Sequence, residues 1–510
     1  MSVTFLQEPV IPGFYPDPSL CRVGSDYYLV TSTFHYSPGV PIFHSRDLVH
    51  WRQIGHCLTR RSQLVLDGCR SSLGNWAPTL RYHNGKFYMI TTNVNIGSFY
   101  VWSEKPEGPW SDPVWVDWLG IDPSLFFDED GRVYITGTAG PEEPVGIYQS
   151  EIDMETGKIL TERRLLWSGS GGHAPEGPHM YRVHGMYYLM IAEGGTEYGH
   201  MVTIARANSP YGPFEGNPDN PILSHRSTNH SIQATGHADL VQMEDGSWWA
   251  LFLGIRPVSV PFVGRYHHLG RETFLAPVTW SAEGWPVIGD QSKMTERLTA
   301  QTLIQGDEYL PVSIDNFDST QLQLCWNFLR NPKSGDLSLD ERPGWLALHG
   351  SATTLNDIGS PAFIGRRQQH FNCNSSTFLS FNPLHEGDEA GLTVYMNEHY
   401  HYEIALTYDS KIGRKVIFRR RIGSLWKIEL EAKVKGSSII LGLDAEPSTY
   451  SFYYAEPNGE KIPFGAGECS MLSTEVAGGF TGVYFGLYAT GNGEPCSVPA
   501  YFDWFEYTQQ

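Results

Sequence analysis

Phe14-Tyr15-Pro16-Asp17-Pro18-Ser19-Leu20-Cys21-Arg22-Val23, followed across a tight turn by Asp26-Tyr27-Tyr28-Leu29-Val30, decides the fold. A carboxylate bracketed by prolines opens an apolar strand, and an aromatic strand returns beside it. The layout recurs four times. Trp76-Ala77-Pro78-Thr79-Leu80 passes through His83-Asn84-Gly85 into Lys86-Phe87-Tyr88-Met89-Ile90, and Ile121-Asp122-Pro123-Ser124-Leu125 passes through Asp128-Glu129-Asp130-Gly131 into Val133-Tyr134-Ile135. Ala174-Pro175-Glu176-Gly177-Pro178-His179 leads to Met186-Tyr187-Tyr188-Leu189-Met190, and Gly236-His237-Ala238-Asp239-Leu240 to Trp248-Trp249-Ala250-Leu251-Phe252. Each unit reads as a short strand, a Gly-containing hairpin turn and a strand rich in aromatic and β-branched residues. Units recurring every 45 to 60 residues or so are the sequence pattern of β-propeller blades.

The innermost strand of a propeller blade runs along the central axis. Residues that open that strand therefore converge at one mouth: Asp17, Trp76, Asp122, Glu176 and His237. Taken singly, each is an ordinary strand-end residue in a turn. Three carboxylates at equivalent places are different, because like charges gathered at one mouth cost energy unless they are used.

The expected architecture is all-β: a five-bladed β-propeller over residues 1–296, a linker over 297–312 and a β-sandwich of jelly-roll type over 313–510. The repeat fades after Gln291. Beyond it, Trp345-Leu346-Ala347-Leu348, Ala390–Tyr395, Lys415–Phe418 and Ser438–Leu441 read as strands at sandwich-like spacing, and 482–488 and 500–505 as a closing pair. This second domain carries no comparable set of carboxylates, so its expected role is to stabilise the fold or shape the substrate site. At 510 residues the chain is long enough for two such domains.

A formal net charge of −20 argues against nucleic acid as a partner and against anionic membrane surfaces. Acidity joined to abundant aromatics (Trp 15, Tyr 27, Phe 25) fits sugar binding, with ring faces against C–H faces and carboxylates on hydroxyls. Seven dispersed cysteines without metal spacing read as mostly free thiols, which suits a reducing compartment. No segment reads as a leader or membrane span, so the expected location is cytoplasmic, with a removed signal peptide as the other case. Homo-oligomerisation is left open. Asp128-Glu129-Asp130-Gly131 lacks the twelve-residue pattern of a calcium loop and reads as a solvated turn.

Two carboxylates flanking a sugar are enough to break a glycosidic bond. One protonates the leaving oxygen and the other activates water or attacks. A third nearby raises the acid's pKa by repulsion. Glu176, with its longer reach and rigid Pro/Gly setting, suits the donor and Asp17 the base; composition alone leaves the assignment open.

The segments Pro12–Ser19, Ile121-Asp122-Pro123-Ser124 and Pro175-Glu176-Gly177-Pro178 resemble the signature segments of glycoside hydrolase family 43. Ser32–Val40, Trp76-Ala77-Pro78, Thr235–Asp239 and Leu269–Phe274 add to the resemblance, which covers nearly the whole chain. It implies an inverting enzyme with Asp17 as general base, Glu176 as general acid and Asp122 tuning the acid. It further implies that Phe34, Trp76 and Arg271 bind substrate and that His237 helps hold a calcium ion on the axis. The implied substrates are pentose-containing oligosaccharides, cleaved to release terminal β-D-xylose, α-L-arabinofuranose or both. Thr33–Tyr36 and a loop region over 484–492 resemble the arabinofuranosidase branch.

Three readings compete. Fructosidases share the architecture but need an N-D-P-N-G box, whereas Tyr15-Pro16-Asp17-Pro18-Ser19 lacks the flanking asparagines. An endo-arabinanase has an open groove and usually no second domain. A non-catalytic sugar-binding propeller has no need of an acid–base pair.

Overall fold

The computed structural model describes residues 3–6, 8–294, 297–300 and 313–510. Turn chemistry sets the blades. Asn84-Gly85 and His184-Gly185 close two hairpins with both residues at positive φ (48° and 81°, 51° and 81°). That conformation matches the right-handed twist of the flanking strands. Among the described residues, five four-stranded antiparallel sheets result. Their inner strands are Ser19–Val23, Thr79–His83, Ser124–Phe127, Glu176–Val183 and Gln233–Gln242, and each sheet continues outward through the next segments of the chain. A hairpin, Val258–Val260 with Gly264–Tyr266, is inserted in the fifth blade.

Apolar clusters fill the spaces between neighbouring blades. The ring closes without an exchanged strand among the described residues. Ile11, Tyr15, Leu20 and Phe43 of the first blade region pack on Trp249, Leu251 and Leu275 of the fifth, and Ile11 and Thr273 exchange two backbone hydrogen bonds. On the axis, buried Asp239 of blade 5 accepts from Ser19 Oγ (2.7 Å) and the Leu20 amide of blade 1, Arg81 Nη1 of blade 2 (2.8 Å) and the Tyr181 hydroxyl of blade 4 (2.6 Å). One carboxylate thus joins four blades. Burial alone would raise its pKa, but Arg81 and its other partners hold it far below the usual range.

The expected linker opens on a strand. Residues Arg297–Ala300 form a strand antiparallel to Val3–Leu6, with Val3 opposite Ala300 and Leu6 opposite Arg297. The backbone groups of each segment find their partners in the other, a pairing between chain positions too far apart to be read locally. Residues 301–312 of that linker, like the propeller residues 1, 2, 7, 295 and 296, lie outside the described residues.

The second domain is two packed sheets. One runs Ala362–Arg367, Tyr484–Thr490, Glu389–Asn397, Tyr400–Asp409, Gly413–Ile422 and Leu425–Lys433 in spatial order. The other is centred on Ala500–Gln509 and Cys373–Ser380. The expected closing pair is therefore not a pair: Tyr484–Thr490 and Ala500–Gln509 lie in different sheets. Both are central strands whose alternating side chains feed the common core, which includes Phe485, Leu487, Phe502 and Phe505. The first part of 484–492, read as a loop, is strand.

Sandwich and propeller share an interface core of Phe14, Phe34 and Tyr36 with Phe363, Tyr395 and Tyr484. Tyr36 stacks on Tyr484 at 4.0 Å and 15°. Phe328–Leu329 pairs with Tyr36–Ser37 as a short ladder. The propeller segment that carries Phe34 is clamped by the second domain.

Candidate active site

The site is built at the strand openings. Asp17 and Asp122 each precede a proline and sit at positive φ (55° and 52°), as does His237 (49°). Such conformations are costly for non-glycine residues and are held where the surroundings over-determine them. In blade 4 the ladder slips between Glu176 and His179, and in blade 5 between Gln233 and Asp239. Bulges of this kind re-aim side chains. Together they turn Asp17, Asp122, Glu176 and His237 into one pocket, which Phe34, Trp76, Ala77, Ile121, Thr196, Arg271 and Phe480 complete. The pocket is small, with a cavity volume of about 60 Å³, below the roughly 300–1,000 Å³ of sites for drug-sized ligands.

Asp17 is buried and fully engaged. Oδ1 accepts from Arg271 Nη1 at 2.9 Å and Oδ2 from the Ser32 hydroxyl at 2.5 Å; His237 Nδ1 lies 3.9 Å away. Burial would raise its pKa, yet Arg271, His237 and Ser32 together hold it below the usual carboxylate range. Arg271 Nη1 also donates to Thr196 Oγ1 at 2.9 Å. The guanidinium lies 5.6 Å from the Phe34 ring centre.

Glu176 has the opposite surroundings. Its side chain keeps 19% exposure, so it is reachable from the pocket. Burial, then repulsion from Asp122 and Asp17, push its pKa up to about 8. His200 Nε2 faces Oε1 at 3.8 Å. Burial pushes this imidazole down to about 3, and its Nδ1 meets the Ala234 carbonyl at 3.2 Å. A carbonyl only accepts, so Nδ1 carries the proton and Nε2 is left without one. Asp122 is pushed up to about 6 by burial and by Asp17, against the pull of His237; its Oδ2 accepts from the Gly177 amide at 3.1 Å. That bond fixes Asp122 to the residue after Glu176.

The five residues expected at the mouth, Asp17, Trp76, Asp122, Glu176 and His237, all line this pocket, as do Phe34 and Arg271, which the resemblance implied. Sequence reasoning missed Ser32, Thr196, His200 and Phe480. Phe480 comes from the sandwich and contacts two rings, Phe34 (6.0 Å, 29°) and Trp76 (5.6 Å, 76°). Its amide donates to Ser72 Oγ at 2.8 Å. The available signal was the pair Gly478-Gly479, at φ 72° and 84°, which ends the short helix Thr474–Ala477 just before the aromatic.

Calcium takes six to eight oxygen ligands. Among the described residues, no three His, Cys, Asp or Glu side chains form a group that could hold a metal. His237 offers one nitrogen, so the residues fit only an ion that keeps most of its water. Among the described residues, no helix is long and apolar enough to cross a membrane.

The profile of glycosyl hydrolases family 43 matches residues 6–286, and that of the beta xylosidase C-terminal concanavalin A-like domain matches 314–508. A non-reducing end alpha-L-arabinofuranosidase of Bacteroides ovatus, BoGH43B, is 45% identical, covering 98% of this chain and 94% of its own. A xylosidase/arabinosidase of Butyrivibrio fibrisolvens is 38% identical over 95% of this chain and 96% of its own. Among solved structures, Bacteroides ovatus xyloglucan PUL GH43B superposes with a TM-score of 0.94 at 44% identity, each chain covered in full.

Proposed function

The chain belongs to glycoside hydrolase family 43, and from that membership and the site we infer that it is an exo-acting, inverting enzyme. It releases terminal β-D-xylosyl and α-L-arabinofuranosyl residues from xylo- and arabinoxylo-oligosaccharides. The observation that carries this reading is the split in proton affinity between Asp17, held low, and Glu176, raised to about 8. Carboxyl groups pushed apart in one pocket define a base and an acid at neutral pH.

Glu176 gives its proton to the glycosidic oxygen as the bond breaks. Asp17, ionised, takes a proton from the water that attacks the opposite face of the sugar. Asp122 repels a second negative charge at Glu176 and keeps the acid protonated until the step. Arg271 fixes Asp17 through Oδ1 and lines the pocket, where a guanidinium suits a substrate hydroxyl. Phe34, Trp76 and Phe480 supply ring faces for one sugar. A small pocket walled by the second domain accepts a chain end rather than the middle of a chain.

The 45% identity to an alpha-L-arabinofuranosidase favours a second reading, strict α-L-arabinofuranosidase activity on arabinan, arabinoxylan or xyloglucan side chains. Hydrolysis of p-nitrophenyl β-D-xyloside and p-nitrophenyl α-L-arabinofuranoside side by side, with NMR detection of the released anomer, decides between them. Turnover of both with inversion supports the dual reading; turnover of the arabinofuranoside alone supports the second. Retention of configuration contradicts the mechanism. The seven cysteines are all free, which supports a reducing, cytoplasmic location and imported oligosaccharides as substrate. A calcium ion at His237, if bound, is held largely by water and serves the fold of the axis.

A further inference from the structure

Glu176 is delivered to the pocket by Ser168-Gly169-Ser170-Gly171-Gly172-His173-Ala174-Pro175, a segment with little anchorage of its own. Ser168, Ser170, Gly171, His173 and Ala174 are exposed, and only Pro175 is buried. Nevertheless the loop is fixed from behind. Glu193, fully buried at the end of the neighbouring strand, accepts from the Ser170 amide at 2.7 Å through Oε1 and from the Gly172 amide at 2.7 Å through Oε2. The Thr203 hydroxyl adds a third bond to Oε1. Converging amides around a carboxylate make an anion nest. The loop lies so close that a Cβ on Gly169 would stand 2.8 Å from the Glu193 carboxyl carbon. The next residue, Gly194, donates its amide to the His173 carbonyl at 2.7 Å.

The same turn reaches the other carboxylate. Thr196, three residues after Glu193, accepts from the Arg271 nitrogen that grips Asp17. Glu193-Gly194-Gly195-Thr196 is therefore tied at one end to the loop that carries Glu176 and at the other to the partner of Asp17.

We propose that Glu193 is the positioning residue for the general acid: its buried carboxylate sets where the glycine-rich loop presents Glu176, relative to the Asp17 side of the pocket. This rests on the reading of Glu176 as proton donor. Glu193 touches no substrate. Its effect on rate arises because a misplacement of about 1 Å costs up to about 100-fold.

Glu193→Gln keeps the size and leaves one acceptor, so one of the two loop amides must face an NH₂ group. The test compares wild type, Glu193→Gln and Glu176→Gln on methyl β-D-xyloside and 2,4-dinitrophenyl β-D-xyloside, using the arabinofuranosides if those are the better substrates. Misplacing the acid should slow the methyl glycoside, whose leaving group needs a proton, by about 10- to 100-fold and the dinitrophenyl glycoside by less than about threefold. Equal loss on both substrates, or no loss, overturns the proposal. Should Glu193→Gln not fold, Thr203→Val keeps the carboxylate and both amides; the same split in smaller measure supports the proposal, and uniform or absent loss overturns it. Glu176→Gln separates the two ideas. If it shows the split and the Glu193 variant does not, only the positioning role falls; if it shows none, the reading of Glu176 as the acid falls first.

Discussion

Phe480 of the sandwich lies against Phe34 of the propeller with ring centres 6.0 Å apart and planes 29° from parallel. Both rings line the pocket that holds the three carboxylates. The catalytic half of the molecule therefore lacks a wall of its own site, and the second domain supplies it.

Replacing Phe480 by Ala should open that wall with the carboxylates untouched. Burying a side chain of this size is worth about 1.5–3 kcal/mol, so kcat/KM should fall by about 10- to 100-fold. Steady-state kinetics on the p-nitrophenyl glycosides test this, together with circular dichroism to show the fold intact. Wild-type kcat/KM in the variant would remove Phe480 from the site.

The pH profile of kcat/KM should be a bell with a broad top. The proposed mechanism needs Asp17 ionised and Glu176 protonated, so the acid limb belongs below the usual carboxylate range and the alkaline limb near 8. In Asp122→Asn the neighbouring charge is gone, although burial still acts on Glu176. Its alkaline limb should move to lower pH. An unmoved or raised limb would show that Asp122 does not tune the acid.

Glu176 should also cost stability at neutral pH. Its folded pKa, about 8, is above the ordinary value of 4.5, so the folded state binds the proton more tightly. Stability then falls as pH rises from about 4.5 to 8, by about 1.4 kcal/mol per pH unit in the limit. Glu176→Gln should melt higher than wild type at pH 8, and the difference should vanish below pH 4.5. Differential scanning calorimetry at several pH values tests the sign.

Asp239 joins four blades through buried hydrogen bonds. Asp239→Ala leaves Arg81 without its buried partner, at a cost of about 3–5 kcal/mol. The midpoint of urea unfolding of the full chain should drop accordingly. A variant as stable as wild type would mean that apolar packing alone closes the ring.

Calcium, if bound at His237, should act on stability rather than on the chemical step. Dialysis against EDTA should then lower the melting temperature, with recovery on adding calcium. No change after chelation would remove the ion from the axis.

Local sequence determined the fold class, the number of blades and the three carboxylates. Each blade repeats the same physical pattern, a strand opening followed by a hairpin turn, and a repeated pattern places equivalent residues at one mouth whatever the details of packing. Trp76 and His237 were legible for the same reason. Only the tertiary structure decided what those groups do. Asp17 and Asp122 have the same local setting, Asp-Pro-Ser at positive φ, yet one is held low and the other raised to about 6. The difference comes first from Arg271, whose bond to Asp17 spans 254 residues, and then from the Ser32 hydroxyl bonded to Asp17 and the repulsion of Asp122 by Asp17. Phe480, Thr196 and Glu193 were hidden likewise, for each acts on a segment remote in sequence or on a neighbouring loop without a motif of its own. Charges and walls in this site are set by what folding brings within 3 to 6 Å, and proximity through space is not written in the spacing along a chain.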